Sequence, residues 1–204
     1  YETSKFNEST INQLLNDFRT VLECISKSPS GKVSDISVLT KESSDKILFD
    51  WNDTKHDFPN DKCAHHLFEE QAAKNPDGIA AELDDQKLTY RELNERANQV
   101  ANYLIKLGAG PDVMAGICIE RSFEMIIGLI GILKSGCAYV PLDSSYPAER
   151  LAFMIEDTNI PFLLTKKNLL ERLPDTKTKL VLMDEDAELI SKESKVNPDV
   201  KMSP

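Results

Sequence analysis

Residues 114–141, MAGICIERSFEMIIGLIGILKSGCAYVP, predict a strand, a helix and a second strand in succession. The apolar run over 114–119 is typical of a strand that is covered on both faces, because its apolar residues do not alternate with polar ones. A helix is expected from about residue 123 to 133, and a short strand over 138–140 precedes Pro141. A strand, a helix and a strand in this order favour parallel pairing of the two strands.

The same succession of helices and strands continues on either side of this stretch. Upstream, a helix from about residue 64 to 75 leads to strands at 79–83 and 87–89, which Asp84 and Asp85 join as a hairpin turn. Downstream, a helix opens with Pro147 at its first position, and strands are expected at 161–165 and 179–183. The sequence therefore predicts an α/β fold with a largely parallel sheet and flanking helices.

A capping box marks the start of one helix in this region. The Thr89 side chain is expected to accept a hydrogen bond from the backbone N–H of Glu92, whose carboxylate accepts one from the Thr89 N–H. An apolar stripe at helical spacing follows and ends at Gly108; its members are Leu93, Ala97, Val100, Ala101, Leu104 and Ile105. Thr89 and Glu92 are therefore expected to be structural.

The N-terminal residues predict one amphipathic helix, which Asn7 or Ser9 can cap and which the stretch 28–31 ends. Its apolar stripe consists of Ile11, Leu14, Leu15, Phe18, Val21, Leu22 and Ile25. Such a stripe needs a partner surface. Either the helix packs on the residues that follow, or its partner lies outside this sequence, which would make the chain an incomplete piece of a larger protein.

A polar stretch from residue 28 to about 62 is typical of a linker. A short helix is expected over 40–49, with Thr40 as its N-cap. The single tryptophan, Trp51, stands within this stretch. Because a free linker would leave this large apolar ring exposed to water, we predict a linker that is docked through Trp51.

The composition limits the possible classes of function. Hydrophobic residues make up 41% and charged residues 28%, which is typical of a soluble globular protein, and the net charge of −10 argues against a nucleic-acid partner. Residues 1–6 do not resemble a signal peptide, and the longest apolar run, 125–133, is too short to cross a membrane. The four cysteines form no metal-ligand pattern, and Cys24 and Cys118 lie in apolar runs, so we expect core positions for both and a cytoplasmic protein.

Two stretches resemble core motifs of the amino-acid-adenylating domains of nonribosomal peptide synthetases. Residues 88–93, LTYREL, are similar to the first core motif, a Leu-Thr/Ser-Tyr-x-Glu-Leu pattern. Residues 133–143, LKSGCAYVPLD, are similar to the second, with Ser135 and Cys137 in place of the commoner Ala and Gly. The second is followed by YPAERL at 146–151, as in the family, although Ser145 stands where Pro or Glu is frequent. Both motifs occur in the family's order and at its separation.

The upstream residues resemble the same proteins. Tyr1, Thr3 and Phe6 are spaced as in the closing segment of condensation domains, and residues 39–54 are similar to the linker between condensation and adenylation domains. The resemblance implies three parts: 1–27 as the C-terminal end of a condensation domain, 28–63 as an interdomain linker, and 64–204 as the N-terminal portion of an adenylation domain.

The resemblance also implies an activity for the parent enzyme. That enzyme would activate an amino acid with ATP and Mg²⁺ as an aminoacyl adenylate and load it on the phosphopantetheine of a carrier domain, and its condensation domain would join the unit to a peptide. Its partners would be the condensation domain, the rest of the adenylation domain, the carrier domain and the amino-acid substrate. No nucleic-acid or membrane partner is expected.

The segment itself is expected to hold no catalytic, cofactor-binding or metal-binding residue. Phosphate binding needs a glycine-rich loop with a cation nearby, and the 8 glycines of this chain are scattered. In the family, that loop and the catalytic lysine belong to segments after residue 204, and the catalytic histidine motif of the condensation domain belongs before residue 1. We therefore predict that the isolated segment is inactive.

Three sets of polar residues invite a functional interpretation that the sequence does not favour. His65 and His66 lack the Asp-Gly that follows the catalytic histidines of condensation domains, so a cap or surface role is expected. The pair at 84–85 is interpreted as a turn and not as a metal site, because no third ligand is near. The acidic residues at 184–188 lack the spacing of a calcium loop and are interpreted as a solvated face.

The most motif-like cluster is formed by Lys134, Gly136 and Tyr139, and a structural role is expected here too. Gly136 would adopt a left-handed conformation after the helix, and Tyr139 and Pro141 would serve packing.

Two alternatives to a synthetase fragment stay open. A free-standing acyl- or aryl-CoA synthetase shares the adenylate-forming core, but such enzymes begin near Ala64 without the preceding helix and linker. A non-catalytic module that bridges two domains is the other. A glycine-rich phosphate loop encoded shortly after residue 204 would favour an enzyme, and a stop codon would favour the bridging module.

Overall fold

The chain forms two compact units, Tyr1–Phe58 and Pro59–Pro204. The computed structural model describes residues 1–203. Among those residues, no helix combines the length and the apolar character that a membrane crossing requires.

The first unit consists of two helices and two short 3-10 turns. Helix α1 spans Glu8–Lys27 and helix α2 spans Lys41–Leu48, with 3-10 turns at Val33–Asp35 and Asp50–Asn52. The side chain of Thr40 accepts a hydrogen bond from the Ser43 N–H at 3.1 Å and so caps α2. Both helices and the Thr40 cap confirm the sequence-based prediction.

Most of the large apolar residues of this unit are exposed, and two predictions about its apolar residues are wrong. In the described chain, α1 has no buried residue, and Cys24 is only half-buried instead of lying in a core. Trp51 is 66% exposed, so it does not dock the linker. Its ring lies 5.9 Å from Lys46 Nζ, a contact that leaves most of the ring in water.

The second unit alternates helices and strands as the sequence predicts, and it adds a 3-10 segment and a short last helix that the sequence did not predict. In chain order its elements are α3 (Ala64–Lys74), β1 (Ile79–Leu83), β2 (Gln86–Thr89), α4 (Tyr90–Lys106), β3 (Met114–Ile117), α5 (Phe123–Lys134), β4 (Ala138–Pro141), α6 (Ala148–Thr158), β5 (Phe162–Thr165), a 3-10 segment (Lys167–Arg172), β6 (Lys179–Leu182) and α7 (Ala187–Ser191). Pro147 is the N-cap of α6 and not its first residue.

The main sheet has four strands in the order β4-β3-β5-β6, and all neighbouring pairs are parallel. Strand β3 is central, with Ala115 opposite Tyr139 of β4 and Gly116 opposite Leu163 of β5. Strands β1 and β2 form a separate antiparallel hairpin, whose turn residue Asp84 has a left-handed φ of 52°. The predicted α/β fold, the parallel sheet and the hairpin turn are confirmed.

Helices cover both faces of the main sheet because side chains alternate between the faces of each strand. On β5, Phe162 and Leu164 belong to the core formed with α4 and α5, whereas Leu163 belongs to a second core formed with α6. Cys118 is fully buried in that second core, which confirms its predicted position.

Candidate functional site

The carboxyl ends of the parallel strands meet at one edge of the sheet, where ligands bind in open α/β sheets. The chain leaves β3 toward β4 on one side, whereas β5 and β6 lie on the other side of β3. The residues that follow the strands at this edge are 118–122 after β3, Leu142 and Asp143 after β4, Lys166 and Lys167 after β5, and Met183 and Asp184 after β6.

The N-terminus of α5 lies at this edge, and the chain's own carboxylate occupies it. Ser122 caps the helix, and Glu124 in its first turn lies 3.5 Å from both Lys166 Nζ and Arg96 Nη2. Burial disfavours the charged carboxylate, but the helix N–H, Lys166 and Ser122 together outweigh burial and lower the pKa of Glu124. The positive end of the helix dipole is therefore already neutralised.

Two further cations at this edge, Arg172 and Lys167, are also paired, whereas Arg121 and Arg150 form no ion pair with a described carboxylate. Arg172 Nη1 lies 3.4 Å from Glu120 Oε1, and Lys167 Nζ lies 2.5 Å from Glu185 Oε1. The backbone N–H of Lys167 donates to Asp184 at 3.1 Å. The acidic stretch at 184–188 is exposed at residues 184, 185 and 188, as predicted, and it additionally organises the turn after β6.

An apolar cavity of about 350 Å³ lies at the ends of β3 and β4. Its walls include Ile119, Met125 and Met154, and its polar groups are Asp143, Tyr146 and Arg150. The Arg150 guanidinium stacks on Tyr146 at 3.9 Å from the ring centroid. The backbone hydrogen bond from Ser145 lowers the pKa of Asp143. A concave, mostly apolar cavity with few polar groups is the usual form of a small-molecule site, so this cavity is the candidate site.

The residues of this edge do not fit the magnesium nucleotide that the resemblance implies. A triphosphate needs a glycine-rich loop of backbone donors with a cation nearby, whereas no glycine stands among the residues that follow the strands at this edge. Three of the cations, Lys166, Lys167 and Arg172, are also already paired with carboxylates. Across residues 1–203, no group of three His, Cys, Asp or Glu side chains is arranged to hold a metal ion. We therefore assign no catalytic step to this edge.

The two adjacent histidines open α3 and differ in their environments. His66 Nδ1 accepts a hydrogen bond from the Cys63 N–H at 3.1 Å, which confirms its predicted cap role. His65 is only 5% exposed and makes no cap, so the prediction of a cap or surface role is wrong for this residue. Burial lowers the pKa of His65 and keeps the ring neutral at pH 7.

The capping box at the start of α4 is confirmed. The Glu92 N–H donates to Thr89 Oγ1 at 3.2 Å, and the Thr89 N–H donates to Glu92 Oε2 at 2.9 Å. This second bond lowers the pKa of Glu92. Both side chains are therefore structural.

The motif-like cluster after α5 is structural at two of its positions. Gly136 has a φ of 90°, which confirms the predicted left-handed turn. Lys134 is fully buried and forms an ion pair with Glu69 of α3. Tyr139 is 45% exposed and Pro141 is also exposed, so their predicted packing role is wrong. Both residues lie on β4, which is an edge strand of the sheet.

Sequence reasoning did not identify a buried polar network around Lys134. Lys134 Nζ and the side-chain amide of Asn98 both donate to Asn197 Oδ1, at 3.3 and 2.8 Å. Burial lowers the pKa of Lys134, while Glu69 opposes that shift. The recurrence of Asn94, Asn98 and Asn102 at every fourth position of α4 is the signal that could have revealed the network, because such residues share one helix face.

Comparison with solved structures defines the class of fold. The chain resembles a crystal structure of the nonribosomal peptide synthetase FmoA3, with a TM-score of 0.70 and 24% identity over 98% of this chain and 21% of that one. It also resembles the N-terminal subdomain of Klebsiella oxytoca NpsA, with a TM-score of 0.61 and 23% identity over 71% of this chain and 36% of that one. The fold is that of the N-terminal part of an adenylation domain.

Comparison of sequences identifies the family. Residues 68–203 match the family of AMP-binding enzymes, and the chain belongs to that family. It is 41% identical over 198 residues to one of the linear gramicidin synthase subunits of Brevibacillus parabrevis, covering 97% of this chain and 4% of that protein. It is 44% identical over 187 residues to gramicidin S synthase 2 of Brevibacillus brevis, covering 92% of this chain and 4% of that protein. The chain thus spans only a small fraction of these curated relatives.

Proposed function

We propose that the chain is the junction between a condensation domain and an adenylation domain of a nonribosomal peptide synthetase. Residues 1–27 are the end of the condensation domain, 28–63 the linker and 64–204 the start of the adenylation domain. One observation carries the proposal: similarity to the linear gramicidin synthase subunits extends over 97–98% of the chain and so includes the first unit. A free-standing CoA synthetase does not account for that extent.

The parent enzyme activates an amino acid with ATP as an aminoacyl adenylate and loads it on a phosphopantetheinyl carrier domain. An artificially fused adenylation and carrier di-domain from Klebsiella oxytoca is among the structures with this fold and supports a carrier partner. Mg²⁺, ATP and phosphopantetheine are held by residues outside this segment, because no glycine-rich phosphate loop follows a strand here and Lys166, Lys167 and Arg172 are already paired. The four free cysteines support a cytoplasmic location.

The segment contributes scaffold and docking surface to that enzyme, and it is inactive alone. Helix α1 supplies an apolar face, with Leu14 and Phe18 at 62% and 59% exposure, which packs on the condensation domain. The second unit supplies four parallel strands and the helices that cover them. A second observation, the exposure of this face, also supports a bridging role between domains.

Pyrophosphate exchange tests this function. The 204-residue chain and a protein that continues through the following residues of its gene are each assayed with Mg-ATP and a mixture of the standard amino acids. We expect exchange by the longer protein only, since the short chain lacks a preorganised charge for the reacting phosphates. Exchange by the short chain would refute its inactivity, and no exchange by a folded longer protein would refute amino-acid activation.

A further inference from the structure

Residues 192–197, which we call the strap, follow α7 and cross α4 without forming a helix or strand. Side-chain amides of α4 hold the strap by its backbone. Asn98 Nδ2 donates to the Lys195 carbonyl at 2.7 Å, and Asn102 Nδ2 donates to the Ser194 and Val196 carbonyls at 3.0 and 3.3 Å. Gln99 Nε2 donates to the Glu193 carbonyl at 3.3 Å. The amides thus replace the ladder that a neighbouring strand would provide.

One atom of the strap receives three donors from the helices beneath it. Asn197 Oδ1 accepts from Asn98 Nδ2 at 2.8 Å, from Asn94 Nδ2 at 3.0 Å and from Lys134 Nζ at 3.3 Å. The side chains of Asn98 and Lys134 are fully buried, whereas Asn197 is an exposed residue. A single exposed side chain therefore satisfies buried donors from two helices.

Beyond the strap, the chain passes close to the turn that ends α5. A Cβ atom built on Gly136 would lie 3.0 Å from Val200 Cγ1 and 3.1 Å from the backbone nitrogen of Pro111. Lys134 thus bonds to Asn197, and Gly136, two residues further along the same motif, lies close to Val200. This arrangement gives the motif a local role that does not involve a ligand.

Three features make the attachment of the strap weak. A cavity of about 310 Å³ lies between the strap, α3 and α4. Among the described residues, the amide oxygens of Asn94 and Asn98 are buried without a hydrogen-bond partner. The ion pairs of Lys195 with Glu95 and of Lys106 with Glu193 leave the lysine side chains 62% and 67% exposed, so solvent and salt screen them. Release of the strap would break none of the sheet's hydrogen bonds.

We propose that the strap detaches from α4 and re-attaches as a unit while the sheet stays folded. The hydrogen bonds that Asn197 Oδ1 accepts control this local opening. Such local opening is expected where backbone is held by few apolar contacts and mainly by side chains; among the described residues, only Lys192 and Glu193 of the strap donate hydrogen bonds to backbone carbonyls, which belong to α7. Local opening of the strap is a property of the second unit itself and does not depend on the proposed synthetase function.

Native-state digestion with trypsin tests local opening of the strap, because trypsin cleaves after lysine and both Lys192 and Lys195 lie in the strap. Cleavage of a transiently opened segment reports the population of the open form when closing is fast. Asn197→Ala removes the common acceptor, so we expect cleavage after Lys195 to accelerate at least about tenfold, given the usual net contribution of several hydrogen bonds. Synthetic peptides of residues 190–202 with each sequence correct for the protease's own preference, and mass spectrometry identifies the cleaved bonds.

Two further variants make the result specific. Asn197→Asp keeps an acceptor oxygen for all three donors and should retain slow cleavage, close to that of the unaltered chain. Val196→Ala alters a side chain that is 73% exposed and should change nothing. Strap cleavage in the unaltered chain should depend only weakly on urea, since local opening exposes little surface.

Several results would refute the proposal that the strap opens locally under the control of Asn197. They are unchanged cleavage in Asn197→Ala, equally fast cleavage in Asn197→Asp, or a urea dependence as steep as that of global unfolding. Loss of the whole fold in Asn197→Ala would also refute it, because the strap would then be part of the global core.

Discussion

Helices α1 and α4 are both amphipathic, yet only one of them buries its apolar stripe. Helix α4 buries Leu93, Ala97, Val100, Ala101 and Leu104 against the sheet and its neighbours. Helix α1 is longer, at 20 residues, and within the described chain it buries none. A helical period thus specifies the helix and its apolar face, while burial requires a partner that the period does not encode.

The difference has an energetic consequence. Each large apolar side chain contributes about 1.5–3 kcal/mol when it moves from full exposure to full burial. The stripe of α4 contributes this free energy to the second unit, whereas the stripe of α1 contributes it only when another surface covers it. Substitutions in the two units should therefore differ in a predictable way.

The largest expected effect comes from a matched pair of leucines. Leu104 is fully buried in α4 and Leu14 is 62% exposed in α1. We expect Leu104→Ala to lower the free energy of unfolding of the second unit by about 2–5 kcal/mol. Leu14→Ala should change it by about 0.5 kcal/mol or less. Urea unfolding followed by circular dichroism measures both, and equal losses would show that α1 is packed in solution.

A smaller effect is expected at a glycine of the second unit. Gly136 has a φ of 90°, and an added Cβ would meet Val200 Cγ1 at 3.0 Å. Gly136→Ala should therefore cost about 1–3 kcal/mol of unfolding free energy. Gly110→Ala is the control, because nothing lies within 4 Å of a Cβ at that position. Thermal unfolding that ranks the two variants in the opposite order would contradict this packing.

The two threonine caps allow the same comparison at lower energy. Thr40 caps α2 in the first unit, and Thr89 caps α4 in the second, each accepting a bond from the N–H three residues on. Thr89→Ala should destabilise the second unit by about 1 kcal/mol. Thr40→Ala should reduce the helix signal of the first unit and leave the unfolding midpoint of the second unchanged. A shift of that midpoint by Thr40→Ala would mean that the two units unfold together.

The last comparison is between the thiols of Cys118 and Cys24, whose ionisation is expected to have the smallest effect on stability at neutral pH. Burial raises the pKa of Cys118 from 9.0 to about 11, whereas Cys24 on α1 is half-buried. A thiol reagent at pH 8 should label Cys24 well before Cys118, and peptide mapping distinguishes them. Because the pKa of the Cys118 thiol is higher in the folded state than its ordinary value of 9.0, folding favours the protonated thiol. The stability that this preference contributes is fully present below pH 9 and is lost as the pH rises to about 11. Rapid labelling of Cys118 in the folded protein would contradict its burial.

The features that depend on neighbours along the chain could be predicted from the sequence. The capping box of Thr89 and Glu92, the hairpin turn at Asp84 and the left-handed Gly136 each follow from contacts within a few residues. Hydrophobic periodicity also identified the strands and the helices between them, because the two periods differ clearly. The parallel sheet followed from their order.

Which side chains are buried depends on how distant elements pack, and for some of them the sequence did not predict it. Trp51 is exposed and Cys24 only half-buried although both have apolar character, while His65 is buried although it is polar. The pairing of Lys134 with Glu69 joins residues 65 positions apart, and that of Asn98 with Asn197 joins residues 99 apart. Periodicity carries no information about such distant pairs, because burial and buried polar pairing depend on where whole elements meet.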